Sequence, residues 1–252
     1  MEAINFRGIT ISSNEITAFL KQKMIYREIC SQIVYGKIID RVATERNIIV
    51  TAREIERKAE EVRRAKQIET TSETIEWLRN ELLDTDEWEE ALAKELLAQK
   101  LARELFAQEA ESYFVRHRLD FDEFILYQLV VPYLRLAREL FYQIEEEEIS
   151  FYRAVHLYDI DEQRRYVCGY EGKVHRRDYP ADLAAEIFKS PISVGQLIGP
   201  IQSEQGYHLF KIESYTPAQL SSEVYQEIID RLFQQWLVGE FSYLINNGDR
   251  GL

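Results

Sequence analysis

Helix breakers are placed so unevenly along this chain that their distribution limits the fold more than any other feature. There is no proline before Pro132 and no glycine between Gly36 and Gly169. Proline removes a backbone donor and clashes inside a helix, and glycine weakens one, so a long stretch free of both reads as a run of helices. From Pro132 onward come all five prolines and most of the ten glycines, with short alternating apolar runs between them. This pattern predicts an α+β fold: a helical first half, then a smaller lobe of about four strands with surrounding helices.

Capping signals mark the helix starts. "SSNE" places Ser12 three residues before Glu15, and "TARE" places Thr51 three before Glu54, the spacing of a capping box. Between them Ile16, Phe19, Leu20, Ile25, Ile29, Ile33 and Ile38 recur near helical spacing, which predicts one long first helix. Further helices are expected over 51–66, 71–83 and 86–111, with Trp77 and Trp88 read as core anchors between them. "FILYQLVVP" is β-branched and aromatic and stops at Pro132, so it predicts a strand. Helical period returns in "YLRLARELFYQIEEEE"; a short helix at 149–157, a glycine-punctuated segment at 168–174, a helix at 181–189 and strands at 197–202 and 207–214 complete the lobe. The tail is amphipathic, with Val224, Ile228, Leu232, Trp236 and Leu237 on one side, and such a face needs a partner. The helical first half is the natural one. The expected organisation is therefore a helical domain over 1–120, an α+β domain over 121–215, and a helix over 216–252 that returns to the first domain.

Charge and composition exclude several function classes. With 46% hydrophobic and 30% charged residues the chain has ordinary globular composition, and its net charge of −13 disfavours a nucleic-acid backbone or an anionic membrane surface as partner. No apolar run approaches the length of a membrane span, so no membrane insertion is expected. Cys30 and Cys168 have no metal-ligand or CxxC spacing, and the first residues lack a basic segment followed by an apolar run; a cytoplasmic location is expected, with a removed leader left open. His117, His156 and His175 have no ligand spacing with one another or with cysteine, and no glycine-rich phosphate loop or nucleophile elbow stands out. Neither a metal nor an organic cofactor is expected.

The segment "GPIQSEQGYHLFKIE", Gly199 to Glu213, puts one histidine, His208, just after a glycine at the head of an alternating strand. Together with "YQLVV", "LARELFYQI", "FYRAVHLYD", "CGYEG" and "LAAEIF" in that order, it resembles the parvulin-type peptidyl-prolyl isomerases. The flanking helices, "LKQKMIYREICSQIVYGKIIDRVATERNIIVTAREIERKAEEV" and "LSSEVYQEIIDRLFQQWL", resemble the chaperone domain of the SurA and PrsA type of foldase. The resemblance implies an isomerase acting on extended or unfolded polypeptide that contains Xaa-Pro, with no cofactor. Carried across residue by residue, it puts His208 in the polar cluster under the prolyl site. Gln128 stands where the family has its first histidine, Asp161 at the cysteine or aspartate position, and Ser203 at the turn hydroxyl. The substrate-binding positions fall on Leu183, Tyr179, Glu171 and Phe188. Gln128 and Glu171 depart from the family pattern, and the loop "VPYLRL" lacks the basic cluster of phosphate-directed parvulins, so no phospho-Ser/Thr-Pro preference is expected. Two functions remain open: an isomerase with an attached chaperone-like domain, or a module that cradles an extended peptide without turning it over.

Overall fold

The computed structural model describes residues 4–6, 9–189 and 191–248. The chain divides into two compact units, Met1–Ala110 with Gln226–Leu252, and Glu111–Tyr225.

The first unit opens with a two-stranded antiparallel pair, β1 (Ile4–Phe6) and β2 (Ile9–Ile11), and continues through α1 (Ser13–Gln22), α2 (Tyr26–Glu45), α3 (Ala52–Ala65), α4 (Thr71–Asn80) and the greater part of α5 (Thr85–His117), whose last turns belong to the second unit. The single long first helix expected from the sequence is two helices. At Met24 the backbone turns left-handed, with φ +60°, and the Met24 and Ile25 amides donate to Lys21 and Leu20 carbonyls at 3.0 and 3.1 Å. These two bonds close a Schellman-type end on α1. The same closure ends α2 at Asn47, α3 at Gln67 and α4 at Leu82, each left-handed and each followed by an isoleucine or leucine whose amide reaches back five residues. The core of this unit contains Ile38, Leu78, Trp88, Leu92 and Leu101, joined by Ile228, Ile229, Leu232, Phe233 and Leu237 of α10 (Ser222–Gly248). Trp77 and Trp88 meet edge to face at 5.4 Å. No helix among the described residues is long and apolar enough to cross a membrane.

The second unit is built on a four-stranded antiparallel sheet with strand order β4-β3-β6-β5. Its strands are β3 (Glu123–Val131), β4 (Tyr170–His175), β5 (Leu197–Ser203) and β6 (Gly206–Thr216), and its helices are α6 (Leu134–Glu145), α7 (Phe151–Tyr158), α8 (Glu162–Tyr166) and α9 (Ala181–Ile187). Strand side chains alternate between faces. Leu129, Val131 and Leu209 therefore pack with Leu140, Phe151 and Val155 on one side, while Phe124, Leu126, Phe210 and Ile212 pack with Leu183, Ile187 and Phe188 on the other. Gln128 and His208 belong to the second face, beyond the end of its apolar cluster.

Candidate active site

The site forms where the two central strands stop being purely apolar. In the β3–β6 register Gln128 lies opposite Phe210 and Val130 opposite His208, so Gln128 and His208 are diagonal neighbours on one face. Long side chains on diagonal positions can touch. Gln128 Nε2 lies 2.6 Å from His208 Nδ1, and Ser203 Oγ lies 2.5 Å from His208 Nε2. His208 is 2% exposed and Gln128 7%, so neither can rely on bulk water for its hydrogen bonds.

The partners fix a direction along this chain. An amide nitrogen can only donate, so Gln128 gives its N–H to Nδ1, and the imidazole proton sits on Nε2, where it is donated to Ser203 Oγ. Ser203 Oγ also accepts the Gln205 amide at 3.0 Å, which leaves the hydroxyl proton of Ser203 available to a further acceptor. Burial holds the imidazole pKa below its ordinary 6.5; the Arg164 charge acts in the same direction and Asp159 opposes it. His208 is thus a neutral, oriented ring at neutral pH.

Two glycines permit this arrangement. Gly206 has φ +140°, and a Cβ there would meet the Val131 carbonyl oxygen at 2.6 Å, so the hairpin that delivers His208 needs glycine two residues earlier. Gly169 has φ +84°, and its Cβ would lie 2.4 Å from the Gln128 carbonyl oxygen. Its own carbonyl accepts the Gln128 amide at 2.8 Å and so fixes the backbone that carries the glutamine.

Asp161 lies at the surface, where its carboxylate caps α8 by accepting the Gln163 and Arg164 amides at 2.8 and 3.2 Å. These bonds hold its pKa below the usual carboxylate range. The buried carboxylate is Asp159, fully excluded from solvent, which the sequence reading did not single out. β4 stops pairing with β3 at Tyr127, and Asp159 takes over further along: its Oδ2 accepts the Val130 amide at 2.9 Å and its Oδ1 the Asp161 amide at 2.7 Å. Arg164 donates to it through Nη1 at 3.1 Å and, through Nε at 3.2 Å, to Glu171 on β4. The one trace in the sequence is the pair of aspartates in "YDIDEQ", and nothing in the spacing says which of them turns inward.

Of the positions assigned to substrate binding, Leu183 and Phe188 are core residues, 7% and 4% exposed, and the half-buried Tyr179 ring packs edge-on against Phe188 and Phe210 at 5.9 and 6.0 Å. Burial pushes the Tyr179 hydroxyl above the ordinary phenol range, and the Glu171 carboxylate adds to this. Phe210, itself fully buried, stacks parallel to His208 at 5.8 Å and so joins the aromatic cluster to the polar chain. Glu171 stands at the rim, ion-paired to Arg164. Among the described residues no cluster of His, Cys, Asp and Glu could hold a metal ion.

The lobe is thus an antiparallel four-stranded sheet whose strands hold a buried Gln128–His208–Ser203 hydrogen-bond chain next to the Phe210 and Tyr179 rings. Residues 132–214 match the family model "Rotamase: PPIC-type PPIASE domain". The chain therefore carries a parvulin-type peptidyl-prolyl cis–trans isomerase domain, and polypeptide is its partner class. The match begins immediately after β3, so Gln128 lies outside it while Asp159, Glu171, Tyr179, Ser203 and His208 lie within. Among solved structures, peptidylprolyl isomerase PrsA from Bacillus anthracis is similar with a TM-score of 0.51 and 16% identity over 86% of this chain and 97% of that one. PrsA from Bacillus cereus follows with TM-score 0.47 and 16% identity over 98% and 91% of the two chains. A SurA-like chaperone structure from Campylobacter jejuni gives TM-score 0.37 and 14% identity over 98% and 94%. The first of these likenesses establishes a shared fold. No curated protein sequence matches the chain.

Proposed function

We propose that the protein is a foldase that isomerises Xaa-Pro bonds in extended or unfolded polypeptide, with the helical unit holding the client. The observation that carries this reading is the Gln128–His208–Ser203 chain, buried and directional, beside the half-buried Tyr179 ring that packs on Phe210. Rotation about a prolyl bond crosses a barrier of roughly 18–20 kcal/mol without breaking a covalent bond, so the catalyst only has to bind the twisted amide better than the planar one. An apolar surface fits the ring, and an oriented hydroxyl with a proton to spare fits the polar atoms of the twisted bond. Catalysis of this type runs on positioning and preorganised dipoles.

The client-holding role rests on the apolar surface of the helical unit. Phe19 is 55% exposed, Met24 91% and Ile33 56%, and a cavity of about 540 Å³ is lined by Ile29, Ile33 and Ile39 with Gln32, Lys37, Asp40 and Lys94 at its polar side. Patches of this kind mark interaction surfaces. A second reading, a module that cradles peptide without turnover, is favoured by the replacement of a titratable ring by Gln128. A protease-coupled isomerisation assay on a short Ala-Pro peptide separates the two. Acceleration that is lost in His208→Ala supports the enzyme; saturable peptide binding without acceleration supports the module. Suppression of aggregation of an unfolded client by the full chain tests the holding role.

A further inference from the structure

The rim of the site carries a charge imbalance with a consequence for client choice. Arg164 is a single guanidinium placed between two carboxylates, Asp159 at 3.1 Å and Glu171 at 3.2 Å. Asp159 is completely buried and also accepts two backbone amides, so its hydrogen-bonding capacity is largely satisfied inside the protein. A buried carboxylate must be compensated; Arg164 is the cation paired with its oxygens among the described residues, the Arg165 guanidinium donates to the Asp159 backbone carbonyl, and the Asp161 carboxylate adds a further negative charge beside Arg164. The remaining negative charge falls on Glu171, whose side chain is 30% exposed and whose second oxygen accepts no hydrogen bond among the described residues. Glu171 lies on β4, the strand paired with the β3 that carries Gln128, which places this charge at the edge of the site. An apolar residue here would greet any flanking side chain alike; a carboxylate with one open oxygen does not.

We propose that Glu171, held in place by Arg164, is a specificity-determining residue that selects clients with lysine or arginine flanking the proline and rejects those with aspartate or glutamate there. The proposal rests on the polypeptide-binding reading of the lobe. Three carboxylates, Asp159, Asp161 and Glu171, already meet two guanidinia, Arg164 and Arg165, so a flanking cation balances the group whereas a flanking anion adds a fourth carboxylate to it. Contacts at a solvated rim are modest, so a Lys-Pro peptide is favoured over a Glu-Pro peptide by about five- to tenfold at low salt. The ratio shrinks at about 0.5 M salt, where charges on this scale are screened.

The test uses the full chain and three fluorescent tetrapeptides, with lysine, alanine or glutamate before the proline, plus a matched set with the charge after it. Affinity is read by anisotropy and turnover by the coupled assay. The expected result is a Lys-over-Glu ratio of about fivefold or more in either set, falling to about one in Glu171→Gln and reversing in Glu171→Lys. Glu148→Gln removes the same charge from an exposed position elsewhere on the lobe and should leave the ratio intact. Equal affinities for the three peptides overturn the proposal while leaving the isomerase reading in place. An equal fall in Glu171→Gln and Glu148→Gln also overturns it, because the preference then belongs to the net charge of the whole chain. Selective binding without turnover of any peptide supports the specificity role and removes the isomerase reading.

Discussion

The two units of this protein treat polar groups in opposite ways. In the lobe, Asp122, Gln128, Asp159 and His208 are buried, and every one of them is wired to named partners; Asp122, for example, accepts the Tyr215 hydroxyl at 3.0 Å and the Ala218 amide at 2.8 Å. In the helical unit the described buried polar residue is Thr74, and the charged pairs, such as Lys58–Glu95 at 2.7 Å and Lys100–Glu54 at 2.7 Å, keep contact with solvent. α1 buries none of its residues. A buried polar group is tolerated in one geometry only, whereas apolar surfaces accept many arrangements at similar energy. The lobe is therefore specified at the level of single atoms, and the helical unit is specified by pattern.

The largest expected effect tests that contrast directly. Arg164→Ala leaves Asp159 buried without its cation and should destabilise the lobe by about 3–5 kcal/mol, whereas Lys58→Ala in the helical unit should lose about 1 kcal/mol or less. Denaturant unfolding of the two variants checks both; similar losses would remove the contrast. Next comes Gln128→Leu, which orphans His208 Nδ1 and should cost about 1–3 kcal/mol of stability, with kcat/KM for a prolyl peptide down by about tenfold. Gln128→His should keep the hydrogen bond and add a titrating ring, read as a second step in the pH–rate profile. A profile identical to that of the parent chain would count against Gln128 facing the reacting bond.

Acid should reach the lobe before the helices. Because His208 has a lowered pKa, the folded lobe binds that proton less readily than the unfolded chain does. Its contribution is whole above 6.5 and is lost as pH falls from 6.5 through the folded value. In the helical unit Lys100, and then the Thr51 amide and hydroxyl, hold Glu54 at about 2, from an ordinary 4.5. That contribution is whole above 4.5 and fades between 4.5 and about 2. Unfolding midpoints followed through a pH series should decline first below 6.5, and His208→Gln should flatten that part of the curve. The smallest effect is Glu54→Gln, which should lessen only the lower slope, to which Glu15, Glu73 and Asp161 also contribute. A parent chain whose midpoint is level down to pH 5 would refute the order.

Much of the fold is legible in the sequence because breaker placement and apolar period report backbone preference directly. The strands from "FILYQLVVP" and "GYHLFKIE" and the polar pair Gln128 and His208 follow from alternation and from the resemblance. The break at Met24 is not legible, because helices here end on non-glycine left-handed residues, each of which costs about 1–2 kcal/mol and is tolerated when the surrounding turn fixes it. The consistent companion is the next residue, Ile25, Ile48, Ile68 or Leu83, which follows the turn on each helix. Asp159 was hidden for a different reason. Its burial depends on where β4 stops pairing with β3, a long-range event that no local window around "YDIDEQ" contains.

The interrupted course of the chain through the helical unit bears on how the protein is made. The lobe, Glu111–Tyr225, is contiguous and can close as soon as it has emerged, while the helical unit must wait for α10 to supply Ile228, Ile229, Leu232 and Phe233. At roughly 5–20 residues per second of synthesis, the first helices spend several seconds with part of their apolar face uncovered. During each round of translation this chain is thus an incompletely folded polypeptide with greasy surface on display, the same kind of object that the proposed foldase would act on.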